Sequence, residues 1–142
     1  SEQSLYNLAT RHLELEVLPA FERFGLGILP WSPLHRGLLA GKPTEAKGRR
    51  VGEKQDKRFK EQKPQLDDWV ELCEGIGESP ARVAVAWLLT RPAVAAPIIG
   101  PRTLDQLERM ETVPEIELSA EILSRIDEIW PGFEEAPKHY AW

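Results

Sequence analysis

The chain has 142 residues, 42% of them hydrophobic, which is enough to bury a core and fits one domain or part of one. A net charge of −5 with a pI near 5.3 provides no dominant basic face and argues against nucleic acid as a partner. No apolar run reaches the roughly 18 residues of a membrane span, and no basic-then-apolar leader opens the sequence, so neither a membrane nor a secretory route is expected.

The single cysteine, Cys73, cannot form an internal disulfide. It lies in an apolar-periodic stretch, reads as a small buried hydrophobe, and fits a reducing, cytoplasmic compartment. The first residue is Ser1 rather than Met, with no lead-in before Glu2-Gln3, so a chain cut from something longer, or one that lost its start, is expected.

Residues 1–8 read as the end of a strand and its exit. Thr10 is expected to cap a helix over about residues 11–24. Leu13, Val17, Leu18, Phe21 and Phe24 form its apolar face, and Arg11, Glu14, Glu16, Glu22 and Arg23 cover the rest. Pro19 should kink or split this helix, and Gly25 should end it. A strand over about residues 26–30 follows at once. Strand, helix and strand with tight links make a βαβ unit, which implies parallel pairing.

The stretch Gly27-Ile28-Leu29-Pro30-Trp31-Ser32-Pro33-Leu34-His35-Arg36-Gly37-Leu38-Leu39-Ala40-Gly41-Lys42 is the most informative in the chain. It leaves a buried strand through an aromatic ring, a hydroxyl and glycines, and ends on a cation. That arrangement suits a flat ring beside a phosphate, since glycine admits close approach and loop N–H groups face anions. An ordinary strand-to-loop exit has a similar appearance. Residues 35–60 form a long loop holding Lys42, Lys47, Arg49, Arg50, Lys54, Lys57, Arg58 and Lys60. Most of these read as solvated charges, with a minority suited to closing over an anionic ligand.

A helix is expected over residues 61–77, with Leu66, Trp69, Val70, Leu72, Cys73 and Ile76 as its apolar positions. Ser79-Pro80 opens the next, largely buried helix, with a hydroxyl cap and proline at its first position. Val94 to Gly100 reads as a short strand. Gly100-Pro101-Arg102-Thr103-Leu104-Asp105-Gln106 joins it to a helix through a Thr103/Gln106 capping box. The exposed N–H groups of that helix start and the Arg102 guanidinium suit an anion. A plain strand-to-helix junction with a solvated arginine is the other reading. Ser119 caps a last amphipathic helix bearing Ile122, Leu123, Ile126 and Ile129, and the tail from Pro131 is irregular.

Gln3, Trp31-Ser32 and Arg102-Thr103 thus lie at junctions that leave parallel strands in one direction. Both a (β/α)8 barrel and a doubly wound sheet bind ligands there, and the residues alone do not separate the two folds.

In order along the chain, Ser1-Glu2-Gln3, Tyr6-Asn7-Leu8, Arg11, Leu18-Pro19, Gly25-Leu26-Gly27, Trp31-Ser32-Pro33-Leu34, Gly37-Leu38-Leu39, Gly41-Lys42, Ser79-Pro80-Ala81, Ala86-Trp87-Leu88, Pro97-Ile98-Ile99-Gly100, Arg102-Thr103 and Gln106-Leu107 resemble the aldo-keto reductases. The closest branch holds bacterial reductases and potassium channel β subunits. The resemblance implies an α/β fold: the C-terminal part of a (β/α)8 TIM barrel, strands six to eight with their helices, over residues 1–142. A whole barrel needs about 250 residues.

It further implies NADP as cofactor and hydride transfer to small aldehydes or ketones. Gln3 would bond the nicotinamide carboxamide and Trp31 would stack on the ring. Ser32, Pro33, Leu34 and Gly37 would line the pyrophosphate. Lys42, with Arg49 or Arg50, would reach phosphate. Gly100, Arg102 and Gln106 would hold the adenosine end, Arg102 meeting the 2′-phosphate. The family's catalytic Asp, Tyr, Lys and His lie on earlier strands, and no stretch here resembles their motifs. No catalytic residue and no metal ligand is therefore assigned, and the chain alone is expected to be inactive.

Arg109 and Met110 stand where the family places an acidic residue and an asparagine that bind adenine. The alternative function is a non-catalytic nicotinamide-binding scaffold, or a truncated half-barrel closed by a partner half-barrel or by a second copy in a homodimer.

Overall fold

The structure is a computed structural model and describes residues 1–41, 57 and 59–133. Two strands, β1 (Glu2–Leu5) and β2 (Ile28–Trp31), pair in parallel, with Gln3 opposite Leu29 and Leu5 opposite Trp31. Between them runs α1 (Val17–Phe24), ended by Gly25 in the left-handed conformation at φ 63°. The expected βαβ unit is present.

The helix expected over residues 11–24 is split, but upstream of Pro19. A 3-10 turn covers His12–Glu14, and α1 starts at Val17, so Pro19 falls in its first turn, where its missing N–H costs nothing. Thr10 does not cap. Its hydroxyl lies 3.3 Å from His35 Nδ1, and the turn begins at Arg11 without a side-chain cap. Leu13 and Leu18 are buried as expected, whereas Phe24 is exposed.

The strand expected over Val94–Gly100 is reduced to two isolated parallel bridges, Ile28 to Val94 and Trp31 to Ile98. The ladder starts regularly, with Ile28 N donating to Ala93 O and Ala95 N to Ile28 O. The next rung would need donors from Pro30 and Pro97, and neither has an N–H. Instead Ile98 N donates to Pro30 O. The offset between partners therefore grows by one residue, and the segment bulges. Gly27 admits this segment closely, since a Cβ there would lie 3.0 Å from that of Ala95.

Packed on this frame, among the described residues, are the helices α2 (Lys63–Gly75), α3 (Pro80–Leu89), α4 (Leu104–Glu111) and α5 (Ala120–Ile129). α3 is the central one, with Val83 to Leu88 all buried. Pro80 holds its first position as expected. Ser79 accepts the Arg82 and Val83 N–H groups through its carbonyl, and its hydroxyl makes no cap. Thr103 and Ser119 do cap α4 and α5 through their hydroxyls.

The core gathers Tyr6, Leu8, Ile28, Leu39, Leu66, Trp69, Val83, Trp87, Leu88 and Ile126, with Trp69 edge-on to Trp130 at 6.5 Å. Cys73 lies inside it, and burial, helped by the Glu74 charge, pushes its thiol up to about 12. Among the described residues no helix is long and apolar enough to cross a membrane.

Candidate functional site

The parallel register sorts the sheet into two faces, because side chains of paired residues point the same way. Glu2, Ser4, Ile28 and Pro30 share one face, with Ile28 and Pro30 buried against the helices. Gln3, Leu5, Leu29 and Trp31 share the other, and the Trp31–Ile98 bridge extends it. Trp31 remains 44% exposed there. Gln3 is exposed on the same face, diagonal to Trp31 across the pair. It lies within β1, two residue pairs before the last one rather than at the exit.

Past Trp31 the backbone turns through an unusual path. Ser32, His35 and Arg36 have φ of 56°, 45° and 59°, and Gly37 follows at 97°. A side-chain-bearing residue in this region costs on the order of 1–3 kcal/mol and persists only where surroundings enforce it. Several contacts enforce it here. His35 N donates to Ser32 O at 2.9 Å, Arg36 N to Ser32 Oγ at 3.3 Å, and Gly37 N to Leu34 O at 2.8 Å. Pro33 is buried below, and Leu38 and Leu39 anchor the 3-10 turn His35–Ala40 in the core. Trp69 Nε1 donates to Leu39 O at 3.1 Å, tying the far end of the loop to α2.

A buried residue that the sequence did not single out completes the set. Asn7 is fully buried, its Nδ2 donates to Ser32 O at 3.0 Å, and its Oδ1 accepts from Ala9 N at 3.1 Å. The signals in the sequence were its place beside Tyr6 at a strand exit and the Tyr6-Asn7-Leu8 segment of the family pattern, neither of which gave it a role.

Gly100, Arg102 and Gln106 are exposed at the start of α4. The capping box forms one residue out of place. Thr103 Oγ1 accepts from Gln106 N at 3.2 Å, while Gln106 Oε1 accepts from Arg102 N at 2.8 Å rather than from Thr103 N. Gln106 therefore supports the turn that presents Arg102. Arg102 has no ion pair among the described residues. Arg109 pairs with Asp105 along α4 at 3.0 Å. Lys42, Lys47, Arg49, Arg50, Lys54 and Arg58 lie outside the described residues. Among those described, no group of three or more His, Cys, Asp and Glu could hold a metal ion.

Arg11 and Glu14, expected on the solvent face, are instead part of an interior network. Tyr6 OH donates to Glu14 Oε1 at 2.6 Å, and the same oxygen accepts from Arg11 Nε and Arg91 at 2.9 Å each. Arg91 Nε also donates to Tyr6 OH at 3.1 Å. Arg11 donates to Asp127 and to Trp130 O, closing α5 onto the β1 exit. Both guanidiniums lie over the Trp87 ring, at 5.1 and 4.7 Å. Burial alone would raise the Glu14 carboxyl, but the hydrogen bonds from Arg11, Tyr6 and Arg91 hold it below the usual carboxylate range. Burial first, then the bond to Glu14, drive the Tyr6 phenol well above its ordinary value. Tyr6 is thus closed to solvent and engaged with Glu14 and Arg91.

The sequence profile of the Aldo/keto reductase family matches residues 1–131. The chain belongs to this family. It is 44% identical to the uncharacterized oxidoreductase YrpG of Bacillus subtilis, over 100% of this chain and 44% of that protein. It is 35% identical to a Schizosaccharomyces pombe protein provisionally named a voltage-gated potassium channel subunit beta, over 91% of this chain and 41% of that protein. Among solved structures it is similar to an aldo-keto reductase from Klebsiella pneumoniae in complex with NADPH, with a TM-score of 0.70 and 25% identity, covering 94% of this chain and 40% of that one. These structural neighbours are TIM barrels, and the α/β architecture here agrees with them. The chain spans less than half the length of the relatives it matches.

Proposed function

We propose that these residues form the cofactor half of an NADP(H)-dependent aldo-keto reductase that reduces aldehydes or ketones to alcohols. On this reading the chain corresponds to strands six to eight of the barrel with their helices. The observation that carries it is the open sheet face, where Trp31 and Gln3 lie together beside a loop held in left-handed conformation. The donor set suits the cofactor. An exposed indole offers a stacking face, a carboxamide matches a carboxamide, and a guanidinium at a helix start matches a phosphate.

The bound cofactor would supply the hydride. Trp31 would cover one face of the nicotinamide and leave the other toward the substrate. Gln3 would fix its rotation. Ser32, Pro33, Leu34 and Gly37 would line the pyrophosphate, with Lys42 contributing a further cation. Gly100 would leave the adenosine end open, Arg102 would select for the 2′-phosphate, and Gln106 would keep that turn in shape. The proton donor would come from the rest of the barrel. Fixing the reacting ring in place is the share of catalysis that such a half contributes.

The relative named as a potassium channel β subunit favours a second reading, in which the same half binds nicotinamide without efficient turnover. The test is NADPH oxidation by the complete protein against a panel of aldehydes and ketones. Carbonyl-dependent oxidation supports the reductase. Saturable NADPH binding without it supports the scaffold, and absence of both overturns the cofactor reading.

A further inference from the structure

We infer that Asn7 is a positioning residue that locks the Trp31-Ser32 exit in its cofactor-facing shape without touching the cofactor. The inference rests on the cofactor reading for its consequence, though the lock itself does not. Asn7 is buried at the exit of β1, and its partner Ser32 lies 25 residues away at the exit of β2. Its backbone exchanges two hydrogen bonds with Thr10, which fixes where the side chain starts. Oδ1 is held by Ala9 N, so the amide orientation is set and Nδ2 faces Ser32 O.

That carbonyl faces the buried Asn7, and Ser32 holds φ 56°, a conformation a serine rarely adopts. Asn7 and His35 N both reward the inward carbonyl. The opposite end of the loop is held separately by Trp69 on Leu39 O. Losing Asn7 therefore frees one end of the loop and leaves the other fixed. Residues 31–37 would relax toward ordinary backbone angles, and the indole plane would no longer be set.

The test uses Asn7→Asp in the complete protein. Aspartate keeps the shape and the acceptor for Ala9 N–H, and replaces the donor facing Ser32 O with an oxygen that repels it. Should that variant fail to fold, Asn7→Ser keeps a short acceptor for Ala9 N–H and loses the reach to Ser32. Without ligand, amide hydrogen exchange at residues 35–37 should speed up about fivefold or more, the worth of one hydrogen bond, with the α3 amides unchanged.

With NADPH, Kd should rise about fivefold or more, and by less than about twofold when the same change is made in a Trp31→Ala background. Unchanged exchange at 35–37 overturns the lock. An equal loss of affinity in both backgrounds overturns its action through Trp31. Wild-type protein that binds no NADPH overturns the cofactor reading, while the exchange result still decides the lock.

Discussion

Two regions lie within a few residues of one another and are built in opposite ways. The interior network of Tyr6, Arg11, Glu14, Arg91 and Trp87 is closed, with its charges paired and its rings stacked. The open face of Gln3, Trp31 and Ile98, with the α4 start beyond it, leaves an indole, an aliphatic side chain and a cation in solvent, and α4 itself buries no residue. The network joins chain segments that are 77 to 119 residues apart. The face offers unspent groups. Internal pairing is concentrated in the first and exposed groups in the second, and Asn7 is the link, because it follows Tyr6 directly and holds Ser32.

The largest expected effect falls on the closed side. Arg11→Ala removes one of three donors to Glu14, which keeps Tyr6 and Arg91, and leaves Asp127 and Trp130 O without theirs. Losing these bonds should cost about 2–4 kcal/mol in chemical denaturation, and a loss under about 1 kcal/mol would make the network ornamental. On the open side the pattern should invert. Trp31→Ala should weaken NADPH binding by about 1–3 kcal/mol, the worth of one stacked ring, and shift the unfolding midpoint far less than Arg11→Ala does. A change of similar size in both measurements would erase the contrast.

Arg102→Ala should weaken NADPH by about 1.5 kcal/mol and leave NADH untouched, as a lost charge-assisted bond at a solvated site predicts. Parallel losses for both cofactors would move the 2′-phosphate elsewhere.

The smallest effect is one of pH. The Glu14 carboxyl is held below its unfolded value near 4.5. Its contribution is therefore complete above that pH and is lost as pH falls through the lower folded value. Wild-type stability should decline below about pH 4.5, more steeply than that of Glu14→Gln, measured by denaturant midpoint at stepped pH.

Local signals in the sequence were read well where the chemistry is local. Gly25, Pro80, Thr103 and Ser119 mark helix ends that neighbouring residues determine, and the tight strand–helix–strand spacing implies the parallel pair. Apart from the Ser79 hydroxyl, which does not cap, what escaped depends on distant partners. Periodicity placed Arg11 and Glu14 on a wet face because Arg91 and Asp127, their partners, are far along the chain. The strand over Val94–Gly100 failed for the same reason, since the loss of both donors at one rung appears only once Pro30 and Pro97 are brought side by side. At the candidate site, Trp31, Ser32 and Arg102 were singled out by their types and junctions, and the structure leaves Trp31 and Arg102 exposed. Asn7 was not, because its role lies in one bond across 25 residues.

The most direct test of the central claim is a titration of the complete protein with NADPH, followed by tryptophan fluorescence. Among the described tryptophans, Trp31 is exposed while Trp69, Trp87 and Trp130 are buried. Saturable quenching should appear in the wild type, disappear in Trp31→Ala and survive in Arg11→Lys. Saturable binding with equal quenching in Trp31→Ala would place the nicotinamide away from the open face and contradict the central claim.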